Sequence, residues 1–152
     1  MSALTMKTLL ADYAAPADGK VTVVGAGWSV TGPDPSPFAI VAMVSVPWDR
    51  TNELHILQLD LLDEDGKPAK PLGAPPDLPS PFHIEQPFEV GRPPGVPRGT
   101  DLEWNLPMNF APIPLEGGHR YVWQFHLDGE MNAEWNLSYF VRPTPHGLRL
   151  AN

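Results

Sequence analysis

The chain has 152 residues, no cysteine and a formal net charge of −8 at pH 7. This length is typical of one domain, and the acidic balance argues against nucleic-acid binding, which needs a basic surface. The lack of cysteine excludes disulfides and thiolate metal sites and is compatible with the cytoplasm.

The N-terminal stretch MSALTMKTLLADYAA has the outline of a signal peptide, but Asp12 leaves its apolar part too short. We therefore predict a first strand here and a cytoplasmic protein. Residues 143–152 are predicted to form a tail. The longest strongly apolar run, 38–46, is far shorter than the ~20 residues that span a bilayer, so no membrane span is expected.

Alternation of apolar and polar residues with a period of two runs through most of the chain. The 20 prolines and 13 glycines belong in connections, because proline interrupts helices and central strands. The pattern predicts a single all-β domain, an antiparallel β-sandwich of about eight strands. These strands lie at about 6–13, 20–27, 37–46, 54–62, 82–90, 101–110, 120–127 and 131–141.

The segment before the seventh predicted strand refines the fold. Leu115 and Tyr121 bracket a Gly-Gly turn, and Tyr121 opens a strand that enters a tight Asp-Gly hairpin. This arrangement is typical of the tyrosine corner and final hairpin of immunoglobulin-like sandwiches. We predict an immunoglobulin-like sandwich, with a C2-like topology as the alternative.

Three stretches carry a family resemblance: LLADYAAPADGKVTVVGAGWSVTGPDPSPFAI, VPWDRTNELHILQLDLLDEDGKP and FEVGRPPGVPRGT. They resemble a widespread, uncharacterised bacterial family of small β-sandwich proteins, and the resemblance runs from about Leu9 to Val141. It implies a bacterial source of the actinobacterial type. Because the family pattern begins near MK, it also implies Met6 as an alternative native start, with residues 1–5 as a disordered extension. It implies no activity and no catalytic residue.

The segment VTVVGAGWSV suggests two kinds of chemistry. Its Gly25–Gly27 turn begins like a dinucleotide-binding loop, but Val30 occupies the third glycine position and three following prolines forbid the required helix. Ser29 lies in an incomplete nucleophile elbow, because Thr31 stands where a small residue is needed. We interpret the glycines as a bend or bulge that leads into a loop.

A hydrolase is therefore the third-ranked function. The histidines available to Ser29 are His55, His83 and His126, which all fall on predicted strands without the context of a catalytic triad.

The stretch Asp63–Gly66 has the acidic density of a calcium loop but lacks the calcium-loop spacing. The alternative function is a calcium- or ligand-binding C2-like domain with Asp34, Asp63 and Asp65 as ligands. An ordinary hairpin turn is the favoured interpretation, since Asp and Gly are common turn residues. No histidine pair has zinc-site spacing, and no cofactor is expected.

The tryptophans divide into two groups. Trp104, Trp123 and Trp135 lie on apolar strand faces and are predicted to be in the core. Alternating strand directions place Trp28 and Trp48 at opposite ends of the sandwich. The end with Trp48 also gathers Asp49, Arg50, Arg92 and Arg98, and Trp and Arg are enriched in interface hot spots.

These observations predict a non-enzymatic interaction or structural module. Its partner is another protein or a second copy of the chain. A homodimer is favoured because residues 38–46 and 54–62 are apolar on both faces and sandwiches have open edges.

Overall fold

The computed structural model describes residues 2–145, which form short and medium-length strands joined by turns and two 3₁₀ turns, Trp48–Arg50 and Ala133–Trp135. The strands are β1 (Thr5–Ala11), β2 (Tyr13–Ala17), β3 (Lys20–Val24), β4 (Val30–Thr31), β5 (Phe38–Val46), β6 (Leu54–Asp63), β7 (His83–Glu89), β8 (Leu102–Phe110), β9 (His119–Leu127), β10 (Glu130–Met131) and β11 (Leu137–Val141). No helix within this part of the chain has the length and apolar character to cross a membrane.

Two sheets pack against each other, which confirms the all-β sandwich. The smaller sheet has the order β1-β5-β8, and the larger has the order β4-β11-β9-β6-β7 with β10 added to β9. The pairings are antiparallel apart from the short β4–β11 pair, which is parallel. Between residues 2 and 145 the sandwich is therefore antiparallel with one parallel contact at an edge.

Alternate residues of the facing strands fill the space between the sheets. Trp123 and Phe125 of β9 and Leu59 of β6 are fully buried. Burial of one such side chain contributes about 1.5–3 kcal/mol. The three core tryptophans are as predicted: Trp123 and Trp135 are buried, and half-buried Trp104 stacks on Phe88 at 3.9 Å between ring centroids.

The predicted first two strands, 6–13 and 20–27, are three shorter strands in the structure, β1, β2 and β3. The chain turns at Asp12, and β2 and β3 pair only with each other, as a hairpin over the outer face of the smaller sheet. The hairpin packs its Ala14 against Ala39 and Val41 of β5, which are fully buried. The outer face of β5 is thus covered by the chain itself, and a second copy is not needed there.

Glycine is required where this hairpin returns to the sheet. Gly25 has φ of +66°, and a Cβ at this position would lie 2.2 Å from Oδ2 of Asp12. Gly27 donates its backbone N–H to the Leu10 carbonyl at 3.0 Å. The Gly25–Gly27 segment is therefore the bend that the sequence indicated, and β4 follows it where a dinucleotide fold would have a helix.

Two boundaries differ from the prediction. The last predicted strand, 131–141, is interrupted by a 3₁₀ turn, because Oδ1 of Asn132 accepts the Glu134 N–H at 2.9 Å and competes with strand pairing. At the N-terminus, Leu4 is buried and Thr5 pairs with Ser45, so these residues belong to the fold instead of a disordered extension. In the predicted tail, 143–145 form no strand, and 146–152 lie outside the described residues.

The tyrosine corner is present. The Tyr121 hydroxyl donates to the Glu116 carbonyl oxygen at 2.9 Å. Tyr121 is the first buried residue of β9, so the bond fixes the turn that leads into this central strand of the larger sheet.

Candidate functional site

The two isolated tryptophans lie at opposite ends of the sandwich, as predicted. Trp28 packs edge-on against Phe38, at the start of β5, with 6.3 Å between ring centroids. Trp48 follows the other end of β5, about 30 Å away for nine residues at ~3.3 Å each. We call the second region the Trp48 end; it comprises the loops 47–53 and 91–100 and the turn 128–129.

Arg92 and Trp48 form the most distinctive contact of this end. The Arg92 guanidinium carbon lies 4.1 Å from the centroid of the Trp48 ring. Its Nε donates to Oγ1 of Thr51, and its Nη2 donates to the Trp48 carbonyl oxygen, both at 2.7 Å. Stacking and two hydrogen bonds therefore hold an exposed guanidinium in one orientation.

The Arg50 guanidinium, in contrast, is occupied by ion pairs within the chain. Its Nε lies 2.9 Å from Oε2 of Glu53, and its Nη2 lies 3.5 Å from Oδ2 of Asp128. The hydrogen bond with Glu53 raises the pKa of Arg50 above its ordinary value. Arg50 thus joins the 47–53 loop to the turn after β9.

A buried histidine supports the same loop. His55 is fully buried, with Nδ1 2.7 Å from Oδ2 of Asp128 and Nε2 2.8 Å from the Arg50 carbonyl oxygen. Its ring also packs on Phe88. Because both ring nitrogens are engaged, we assign His55 a structural role under the Trp48 end.

The other two predicted site residues behave differently from each other. Asp49 accepts the Ser2 backbone N–H at 3.2 Å, and this bond lowers the pKa of its carboxyl group. Arg98 is exposed and has no hydrogen bond or ion pair with any residue between 2 and 145. Of the five predicted residues, half-buried Trp48 and exposed Arg92 form a platform, Asp49 and Arg50 anchor the loop, and Arg98 stands apart.

An exposed apolar side chain begins the strand that follows the 47–53 loop. Leu54 begins β6, pairs with Glu89 and is 68% exposed. Asn52, two residues earlier, donates its N–H to the Val90 carbonyl at 2.8 Å, which ties the Leu54 and Arg92 segments together. Sequence reasoning missed Leu54, because the alternation of β6 alone does not show that its first outward position stays uncovered.

The alternative metal ligands are not brought together. Asp34 lines a cavity of about 30 Å³ beside Trp28, whereas Asp63 and Asp65 line a separate groove. Oδ1 of Asp63 accepts the backbone N–H groups of Asp65 and Lys67, both at 2.9 Å, as in an ordinary turn. In the part of the chain that is described, no three metal-binding side chains cluster.

The hydrolase alternative gains no support from the histidines. His83 binds Asp60, and His119 binds Glu64. Within residues 2–145, the Ser29 hydroxyl has no histidine partner. The serine nearest to a histidine–carboxylate pair in the sequence, Ser80, donates to the Ala69 carbonyl at 2.6 Å instead.

The fold and the Trp48 end define this chain as a β-sandwich protein with an aromatic–arginine surface at one end. The chain belongs to the family of unknown function DUF6941, whose model matches residues 7–139. This agrees with the resemblance to an uncharacterised family. Neither the curated proteins nor the solved structures include a significant match to the chain.

Proposed function

We propose that the protein is a non-enzymatic interaction module that docks a protein partner on its Trp48 end. The observation that carries the proposal is the Arg92 guanidinium held over Trp48 by two hydrogen bonds. Tryptophan and arginine are the residues most enriched in interface hot spots. A preorganised side chain loses little conformational entropy on binding, so its contacts contribute more to affinity.

Exposed Leu54 strengthens this assignment. It adds an apolar surface beside the stacked pair, and interface centres combine apolar, aromatic and arginine side chains. The Trp48 end thus offers the composition of a small docking surface.

The strand order supports an immunoglobulin-like sandwich. The orders β1-β5-β8 and β11-β9-β6-β7 correspond to A-B-E and G-F-C-C′ of immunoglobulin domains, and Tyr121 occupies the tyrosine-corner position of strand F. By this correspondence, loop 47–53 is the B–C loop, which lies at the antigen-binding end of variable domains. The correspondence is an analogy of fold, and it raises the expectation of binding without naming a partner.

We infer that the partner is another protein. The hairpin covers the outer face of β5, which removes one of the reasons for a homodimer. The second apolar strand face, the outer face of β6, still favours a homodimer, because Leu54 and Ile56 are exposed there. The absence of cysteine and the family resemblance support a bacterial cytoplasmic setting.

Site-specific photo-crosslinking in the native host tests the docking surface. A photoreactive amino acid replaces Arg98 at the Trp48 end or, as the matched control, exposed Arg120 at the opposite end of β9. We expect a discrete adduct from position 98 that disappears in Trp48→Ala and in competition with the unmodified protein. Equal adducts from both positions, or none from position 98, would contradict the proposal.

A further inference from the structure

Arg92 keeps much of its hydrogen-bonding capacity. A guanidinium group has five N–H donors. Within residues 2–145, two of them are used, by Thr51 and by the Trp48 carbonyl, and both acceptors are uncharged. The positive charge of Arg92 is therefore not neutralised by any described carboxylate, and its Nη1 edge remains available.

The acidic groups around Arg92 are mostly occupied by other partners. Glu53 binds Arg50, Asp128 binds His55 and Arg50, and Asp49 accepts the Ser2 N–H. This distribution leaves Arg92 held in place without a carboxylate partner among residues 2–145, on a segment that Asn52 joins to that of exposed Leu54, in a chain whose net charge is −8.

From this arrangement we infer that the segment docked on the Trp48 end is acidic: an Asp- or Glu-bearing stretch of the partner protein whose carboxylate binds Arg92. The inference rests on the proposed function and specifies the chemistry of the partner. A carboxylate matches the planar fork of a guanidinium, and a charge-assisted hydrogen bond is about twice as strong as a neutral one.

Three further charged residues shape the specificity of the Trp48 end. Arg98 follows Arg92 across the proline-rich loop and offers a second cation, with no ion pair within the described residues. Glu89 and Asp101 flank the same loop as exposed acids, and they disfavour a partner of dense, uninterrupted negative charge. A carboxylate next to an apolar residue fits Arg92 and Leu54 together, and the chain's own charge repels nucleic acid.

A random-peptide display selection against the purified protein tests this inference. Clones are ranked by their loss of binding to four variants: Trp48→Ala, Arg92→Gln, Arg92→Lys and, as the charge-matched control at the other end, Arg120→Gln. Binding of chosen peptides is then measured by fluorescence anisotropy, and the glutamates of each peptide are replaced by glutamine.

We expect the selected peptides to carry an excess of Asp and Glu. Arg92→Gln and the Glu→Gln peptides should each weaken binding about tenfold, the size of one charge-assisted contact. Arg92→Lys should restore binding only in part, because an ammonium group cannot form the fork, and Arg120→Gln should bind normally. Thermal melts of each variant confirm that the fold is retained.

Clones that depend on Trp48 but carry no excess of acidic residues would overturn the inference and leave the proposed function intact. A selection without any clone sensitive to Trp48→Ala or Arg92→Gln would also overturn the inference. The crosslinking experiment would then decide separately on the proposed function.

Discussion

At the scale of single residues, the hydrogen bonds of two histidines and one tyrosine have effects that can be measured. His83 and His119 lie on the surface, and each has a carboxylate partner on another strand or loop, Asp60 and Glu64. Hydrogen bonding to these carboxylates raises the pKa of both histidines above the ordinary value. Neither pair contacts the Trp48 end, so the titration of the two histidines tests contacts within the fold and not the docking surface.

The first prediction concerns their titration. Asp60→Asn should return the pKa of His83 toward about 6.5, because the hydrogen bond and the charge of Asp60 cause the increase. Glu64→Gln should act in the same way on His119 alone. An NMR titration of the imidazole resonances measures both, and each variant is the control for the other.

The raised pKa values of the two histidines determine how each pair changes the free energy of unfolding with pH. Each pair contributes fully below the unfolded-state pKa of about 6.5, and its contribution is lost as the pH rises through the folded-state pKa. Because both pairs are exposed to solvent, the effect on unfolding is small. A pKa of His83 that is unchanged in Asp60→Asn would contradict the assigned cause.

The second prediction concerns the tyrosine corner. Tyr121→Phe should lower the free energy of unfolding by about 1 kcal/mol, because the Glu116 carbonyl loses its donor. Tyr13→Phe is the matched control, since Tyr13 is 55% exposed. Denaturant unfolding of both variants provides the comparison. Equal stability of the two would show that the corner hydrogen bond contributes nothing.

At the scale of elements, the β2–β3 hairpin is held by side chains as much as by apolar contact. Asn109 of β8 accepts the Ala14 N–H at 3.2 Å and donates to the Ala14 carbonyl at 2.7 Å, so its amide imitates a neighbouring strand. Asn105 donates to the Gly19 carbonyl at the tip of the hairpin. The fully buried apolar residues of this contact are alanines and Val41, and larger side chains such as Leu9 and Met43 are only partly buried.

The third prediction is that Asn109→Ala loosens this hairpin locally. The loss of two hydrogen bonds, about 0.5–1.5 kcal/mol each, should speed amide hydrogen exchange in residues 13–24 about tenfold or more. Asn105→Ala removes one bond and should have a smaller effect. Exchange in β9 should stay unchanged. A global loss of protection in Asn109→Ala would contradict a local role for the clamp.

At the scale of the whole molecule, the described sheets end in β1 and β8 on the smaller sheet and in β4 and β7 on the larger one, and two of these edge strands, β7 and β8, carry a protective feature. Each has a proline near its middle, Pro87 and Pro107. Proline fits a strand only where its missing N–H faces away from the neighbour, so both free edges lack a donor there. The Gln86 side chain also donates to the Pro87 carbonyl at 2.9 Å. Both edges are therefore protected against strand addition.

The fourth prediction follows from this protection. The wild-type protein should be monomeric at micromolar concentration, and the double variant Pro87→Thr, Pro107→Val should form dimers or larger species. Pro75→Thr, in the 64–82 connection, is the matched control and should stay monomeric. Light scattering across a dilution series measures the oligomeric state of the wild type and of each variant. A dimeric wild type would favour a second copy on the outer face of β6.

The sequence by itself determined the fold class, the main strands and the separation of Trp28 from Trp48. These features follow from local alternation and from the reversal of chain direction at each turn, which the residues themselves encode. The same local signals identified Tyr121 as a corner residue and placed Trp104, Trp123 and Trp135 against the core.

Only the tertiary structure decided which contacts those elements make. Whether β2 and β3 extend the sheet or fold over it depends on Asn109, which lies 95 residues from Ala14. Likewise, Arg50 and Arg92 look equivalent in the sequence, but Glu53 and Asp128 neutralise the first while Trp48 and Thr51 hold the second with its charge unpaired. Such pairings join residues far apart in the chain, and their geometry is fixed by packing between sheets, which no local pattern contains.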